Sequence, residues 1–271
     1  MTDELLLAVR GVSKRFTATL ALDALEFDVC AGEIHALLGQ NGAGKSTLIK
    51  ILAGVFPPSA GTIAWRGQPV DPAARRLPIA FIHQDLGLVT SMTVAENVAV
   101  QAGYPRRLGF IDWNGARRAA AGALAAMGSR IDPESRVAGL SAADRSIVAI
   151  ARALAVRCDL LVLDEPTAAL PAADVERLLA TLRRLREAGI GMIYVTHRLD
   201  EVFRIADRVT VLRDGRRIAT SPVSETSPQD LVLKIVGGSL AGTEVLPTPA
   251  DAPMRLALRD VVVPHEEAGL I

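Results

Sequence analysis

The sequence predicts an α/β fold: a mostly parallel sheet, preceded by an N-terminal antiparallel β subdomain and carrying a helical insertion. Three observations predict it. Short apolar runs at 34–38, 79–82, 160–163 and 190–195 each adjoin segments with helical spacing, which is the texture of a parallel sheet built from βαβ units. Residues 5–30 instead alternate apolar and polar side chains over part of their length, as strands with one buried face do. The stretch from about 93 to 127 is rich in Ala and Arg and lacks β-branched runs, so it favours helix.

Taken in order, residues 5–11, 16–22 and 24–30 are expected strands of the antiparallel sheet. The texture changes at Glu33, where 34–38 reads as a buried strand leading into a glycine-rich turn and a helix over 46–53 bearing Leu48, Ile49, Ile51 and Leu52. The helical block is broken at Gly103-Tyr104-Pro105. A helix opens at Ser141 and continues through Ile147, Ile150, Ala151 and Leu154, and another runs from Pro171, placed as its first residue, through Leu185. A short helix over 228–236 precedes Gly237-Gly238 and a Pro/Ala/Thr-rich stretch. The expected organisation is a main domain over 1–240 with its helical subdomain at about 93–155, then a linker over 241–254. Residues 255–271 start a truncated second copy, because Arg255 to Val263 echo the texture of Leu7 to Val12.

Composition narrows the function class. Half of the 271 residues are hydrophobic and 22 % are charged, which is globular rather than disordered. Thirty Lys and Arg balance thirty Asp and Glu, so no global field selects a nucleic acid, and none is expected as partner. Cys30 and Cys158 are too few for a disulfide framework, and a reducing cytoplasm is the expected compartment. Polar residues interrupt every apolar run well before the roughly 18 needed to span a bilayer, which leaves docking onto a membrane open.

Gly39-Gln40-Asn41-Gly42-Ala43-Gly44-Lys45-Ser46-Thr47 matches G-x-x-x-x-G-K-[ST] between an expected strand and an expected helix. Its glycines let backbone N–H groups curl around phosphate oxygens at a helix N-terminus. Lys45 would reach the β- and γ-phosphates, and the Ser46 hydroxyl would join a Mg²⁺ shell. Much later an apolar run ends in two acids, Asp164-Glu165, at the carboxyl end of an expected parallel strand. Asp164 can hold Mg²⁺ through water while Glu165 orients an attacking water.

The order of these motifs, with Gln84 after a strand, Leu140-Ser141 at a helix start, Asp164-Glu165-Pro166-Thr167, and His197 after another strand, resembles the ATP-binding cassette family over residues 1 to about 240. The resemblance implies a P-loop NTPase core with ATP and Mg²⁺ as ligands. It implies that Phe16 stacks on adenine, that Gln84 touches Mg²⁺ or the attacking water, and that His197 senses the γ-phosphate. Ser141 would face the ATP of a second cassette, and Glu96-Asn97-Val98 would mark the helical insertion that touches membrane subunits. The signature departs from Leu-Ser-Gly-Gly-Gln: here it reads Leu140-Ser141-Ala142-Ala143-Asp144-Arg145. Ser141-x-x-Asp144 is a capping-box pattern, and the negative charge that Asp144 adds near a phosphate is one Arg145 could offset.

The texture is similar to the first cassette of bacterial simple-sugar importers. That resemblance implies a cassette at the cytoplasmic face of the inner membrane, hydrolysing ATP to power import of a sugar or similar small solute. Its partners would be a second cassette, fused or homodimeric, integral membrane permease subunits and, indirectly, a periplasmic solute-binding protein. Two alternatives stay open. Asp144 and Pro171 motivate a regulatory nucleotide-binding cassette with weak hydrolysis. A non-transport ATPase of the same family would need a long basic linker or coiled coil between Gln84 and Ser141, and that stretch contains neither.

Overall fold

A computed structural model describes residues 4–237 apart from 76, 84, 157 and 169. The expectations for Gln84, for the 241–254 linker and for a second copy at 255–271 therefore lie outside the described residues. The described chain belongs to one compact unit ending at Gly237.

The antiparallel sheet is formed by β1 (Leu5–Phe16), β2 (Thr19–Cys30), β4 (Ala60–Trp65) and β5 (Gln68–Val70) in the order β2-β1-β4-β5. Two long strands replace the three short ones expected, because the chain reverses at Thr17-Ala18 inside the expected 16–22 strand. Register shifts between Val9 and Val12 and around Lys14 reset the alternation of β1, so the pattern does not read as one strand.

The second sheet has the order β12-β11-β3-β10-β9-β6. Its parallel members are β3 (Ile34–Leu38), β6 (Ile79–Ile82), β9 (Leu160–Asp164), β10 (Gly191–Val195) and β11 (Arg208–Arg213), and β12 (Arg216–Pro222) closes the edge antiparallel to β11. The first four strands lie where the apolar runs place them. Strands β4, β5, β11 and β12 lie outside the segments expected as strands. Their two-residue hairpin turns, Arg66-Gly67 and Asp214-Gly215, hold both central residues at positive φ, and only Asp-Gly is a strong sequence signal for that geometry.

Alternation along the buried strands builds two cores at once. Leu160 and Val162 of β9, with Ile193 and Val195 of β10, face a core shared with β1, β2 and helix α1 (Lys45–Leu52). Leu161 and Leu163, with Met192 and Tyr194, face α4 (Ala142–Leu154) and α5 (Ala172–Glu187). Each fully buried Leu or Ile contributes about 1.5–3 kcal/mol, so the sheet is held from both sides by comparable apolar layers.

The insertion comprises α2 (Val94–Ala102), a hairpin of β7 (Arg106–Arg107) and β8 (Phe110–Ile111), and α3 (Trp113–Ala126). The break at 103–105 thus leads into a hairpin, where only helix was expected. Thr93 and Glu96 form a reciprocal capping box on α2, while buried Asn97 accepts from Val89 N at 2.8 Å and donates to Val89 O and Thr93 O. The remaining helices are α6 (Leu199–Ile205) and α7 (Pro228–Val236). Pro171 stands at the N-cap of α5 rather than inside its first turn. Among the described residues, no helix is long and apolar enough to cross a membrane.

At the N-terminal end of β3 a partly buried polar knot ties the two sheets. Arg208 donates to Glu33 at 3.1 Å and to Asp28 at 2.8 Å, and fully buried His35 shares a 2.7 Å hydrogen bond with Thr210. Burial, then the Arg208 charge, pushes the His35 pKa down to about 3, while burial pushes the Glu33 carboxyl up.

Candidate functional site

The loop between β3 and α1 is shaped by glycine. Gly44, the N-cap of α1, has φ +103, and a Cβ there would lie 2.7 Å from Leu22 Cδ2 and 2.9 Å from Ala21 O. Gly39 also has positive φ, and a Cβ would meet Leu212 O. Between them, Ala43 N donates to Gln40 O at 3.1 Å and closes the loop into a cup. The Lys45 ammonium crosses it, donating to Gly39 O at 2.6 Å and Gln40 O at 3.1 Å. Half-burial lowers its pKa, and the charges of Glu165 and Asp164 oppose that shift. An ammonium held by two neutral carbonyls can exchange them for phosphate oxygens at little cost.

A cavity of about 530 Å³ opens above this cup. Its lining is Asn41, Gly42, Ala43, Gly44, Lys45, Ser46 and Thr47 from the loop and α1, facing Asp164 and Glu165 from the end of β9. The volume lies in the range of small-ligand sites, and polar groups dominate the walls, as an anionic ligand needs. Burial pushes the Asp164 carboxyl up, the neighbouring Glu165 charge adds to this, and His83 and Lys45 pull it back.

Glu165 adopts φ +49, a left-handed conformation that costs a non-glycine residue about 1 kcal/mol or more. The turn is pinned because Glu165 N donates to Val195 O at 2.9 Å on the adjacent strand β10. Two residues after β10 ends, His197 Nδ1 lies 3.1 Å from Glu165 Oε1. The two groups the sequence placed on separate strands are therefore in direct contact.

Beneath them, Glu201 of α6 is fully buried. Its Oε2 accepts from Tyr194 at 2.7 Å and from Thr167 at 2.8 Å, and Arg198 Nη1 lies 3.1 Å from Oε1. One carboxylate thus joins the segment after Glu165 to the strand and turn that carry His197. No local pattern in the sequence marks Glu201.

Four of the expected site residues described do not line this cavity: Gly39 at the base of the loop, His197 behind Glu165, and Phe16 and Ser141 farther off. Phe16, at the end of β1, meets Phe56 edge-on with centroids 5.2 Å apart, and Lys14 Nζ sits 5.2 Å from its ring centre. Ser141 caps α4 by accepting from Asp144 N at 3.1 Å and donates its hydroxyl to Asp144 Oδ2 at 2.9 Å. The expectation that Arg145 offsets Asp144 is corrected: Arg145 donates to Val137 O and Ala138 O, carbonyls that the preceding turn presents to it. The counter-ion is Arg177 of α5, 2.7 Å from Asp144 Oδ1, a residue no local pattern marks. A second α4 side chain, Arg152, clamps Leu86 O and Gly87 O at 2.6 Å each, fixing the chain just beyond Gln84.

Residues 22–168 match the ABC transporter family. Among curated proteins, the chain is 46 % identical over 239 residues to a ribose import ATP-binding protein of Rubrobacter xylanophilus, covering 87 % of this chain and 48 % of that protein. It spans about half the length of the curated relatives it matches. Among solved structures, cbiO1 of Clostridium perfringens, part of an ABC transporter complex, superposes with TM-score 0.75 at 29 % identity over 88 % of this chain and 96 % of that one. A dimeric ATP-binding cassette in a post-hydrolysis state with ADP and Pi gives TM-score 0.67 at 25 % identity, over 80 % of this chain and 99 % of that one.

Proposed function

This chain belongs to the ABC transporter family, and from that premise we propose that it binds and hydrolyses ATP to power import of a sugar such as ribose. The observation that carries the reading is one cavity walled by Lys45 and Ser46 on one side and by Asp164 and Glu165 on the other. The phosphates lie in the 39–47 loop, where Lys45 leaves its loop carbonyls for the β- and γ-oxygens. Ser46 and Asp164, with Gln84, would hold Mg²⁺. The oxygen donors Ser46 and Asp164 line one cavity, and no cluster of three or more His, Cys, Asp or Glu occurs among the described residues. Such a sparse set suits an ion that keeps waters and phosphates in its shell. That ion would neutralise charge developing on the phosphates.

Glu165 takes a proton from, and orients, the attacking water. Its contact with His197 supports a paired role: a γ-phosphate that accepts a hydrogen bond from His197 releases the Glu165 oxygen for water. The pair thereby distinguishes ATP from ADP. Phe16 offers its ring face to adenine.

Ser141, at the start of α4, faces the ATP of a second cassette. That cassette is either a second copy or the other half of a longer fused chain, as the half-length match to the ribose import relative suggests. ATP closes the pair and hydrolysis reopens it. Differential affinity for the closed state drives permease subunits at the cytoplasmic face of the inner membrane. A periplasmic solute-binding protein would select the cargo. The weak-hydrolysis alternative loses its electrostatic ground because Arg177 neutralises Asp144.

Equilibrium ATP binding and phosphate release test the assignment together. Lys45→Ala abolishes binding, whereas Glu165→Gln retains binding and stops release; equal loss of binding in both contradicts the roles.

A further inference from the structure

The hairpin between α2 and α3 gathers exposed apolar side chains. Five of the eleven exposed large hydrophobic residues among those described fall between Val100 and Trp113. At the β7–β8 turn, Leu108 has φ +53 and is 93 % exposed, and Phe110 beside it is 80 % exposed. Surface leucines occur singly without needing explanation, but a projecting Leu/Phe tip does not.

Its surroundings indicate what it meets. Arg106 and Arg107 form the strand before the tip, and both are exposed. The sole carboxylate between Tyr104 and Arg118 is Asp112, which caps α3 through Gly115 N and pairs with Arg118 at 3.5 Å. The hairpin therefore presents net positive charge with no acidic counterweight at its tip. At its base, Tyr104 and Trp113 pack edge-on with centroids 5.7 Å apart, and Trp113 stays partly exposed.

We propose that this hairpin inserts Leu108 and Phe110 into an anionic phospholipid surface, with Arg106 and Arg107 on the headgroups. A protein partner would need a pocket shaped to two side chains on a narrow turn, whereas a bilayer interface accepts projecting apolar groups without complementary shape. Arginine stems reach back to headgroup level while their carbons lie along the acyl boundary. Tyr and Trp favour that same depth. One hairpin binds weakly and reversibly, as a single insertion does, and strengthens attachment made elsewhere. The inference rests on the hairpin alone and is independent of the nucleotide chemistry.

Flotation of the full chain with phosphatidylglycerol or phosphatidylcholine vesicles tests it, with Trp113 fluorescence as a second readout. The wild-type chain floats with phosphatidylglycerol vesicles at low salt and shifts its emission to the blue. Replacing Arg106 and Arg107 with Gln weakens partition about 30-fold, the sum of two cations near an anionic surface. L108S with F110S abolishes the emission shift while ATP binding remains intact, which shows that the variant is folded. Equal partition into both lipids overturns the anionic selectivity the proposal states, and no vesicle binding by the wild type overturns it and assigns the hairpin to a protein contact. Vesicle binding that survives both variants overturns it as well.

Discussion

Removing the Glu201 carboxylate should unlatch the two segments that carry Glu165 and His197. In Glu201→Ala the Tyr194 and Thr167 hydroxyls both lose their acceptor, and both side chains are buried, at 0 % and 1 % exposure. Each stranded buried donor costs about 1–3 kcal/mol. Arg198 is 39 % exposed and regains water, so its lost ion pair adds little. The sum is about 4 kcal/mol, a large part of the roughly 5–15 kcal/mol by which domains are stable. Glu201→Gln keeps one carbonyl acceptor for the two hydroxyls and should cost about 1–2 kcal/mol. Urea unfolding measures both, read from midpoints at constant slope. In the glutamine variant ATP affinity should hold while turnover falls, because Thr167 lies beside the Glu165 turn and Tyr194 close to His197. Equal destabilisation by Ala and Gln, or an Ala shift under about 1 kcal/mol, refutes the account of Glu201 as the shared acceptor.

Two further outcomes follow from the polar pairs. Arg177→Ala exposes the Asp144 charge at the start of α4 and should reduce phosphate release, and adding Asp144→Asn should restore most of the rate; no rescue would show that Arg177 acts otherwise. The stability of the chain should fall on acidification because of His35. Its pKa is pushed from the ordinary 6.5 down to about 3, so the unfolded chain takes up a proton that the folded chain refuses. The stabilisation is complete above pH 6.5 and is lost below it by at most about 1.4 kcal/mol per pH unit. Glu33, raised from 4.5, has the opposite sense just above that value and offsets part of the loss. Between pH 7 and pH 5 the urea midpoint of the wild type should fall further than that of His35→Gln, and parallel curves would contradict this assignment.

Much of the site is legible because its requirements are local. The 39–47 loop needs glycine where a side chain would strike Leu212 or Leu22, and strands β9 and β10 are buried on both faces, so they read as unbroken apolar runs. Asp164 and Glu165 are visible as acids at the end of such a run. What escaped is assembled by tertiary contact: Arg177 reaches Asp144 across 33 residues and Glu201 reaches Thr167 across 34, with no periodicity to mark either. The fold shows the same division. Strand β1 hides its continuity behind register shifts, and β12 is a polar, exposed edge strand, where alternation is weak.

The central claim is that the cavity between the 39–47 loop and Asp164-Glu165 hydrolyses ATP when closed by the α4 start of a facing cassette. Phosphate release from Mg-ATP, measured per chain as protein concentration rises and with Glu165→Gln as blank, tests it most directly. The account predicts a specific rate that climbs with concentration, disappears in Glu165→Gln, and is strongly reduced in Ser141→Ala. A rate that is flat with concentration, or that persists in Glu165→Gln, would contradict it.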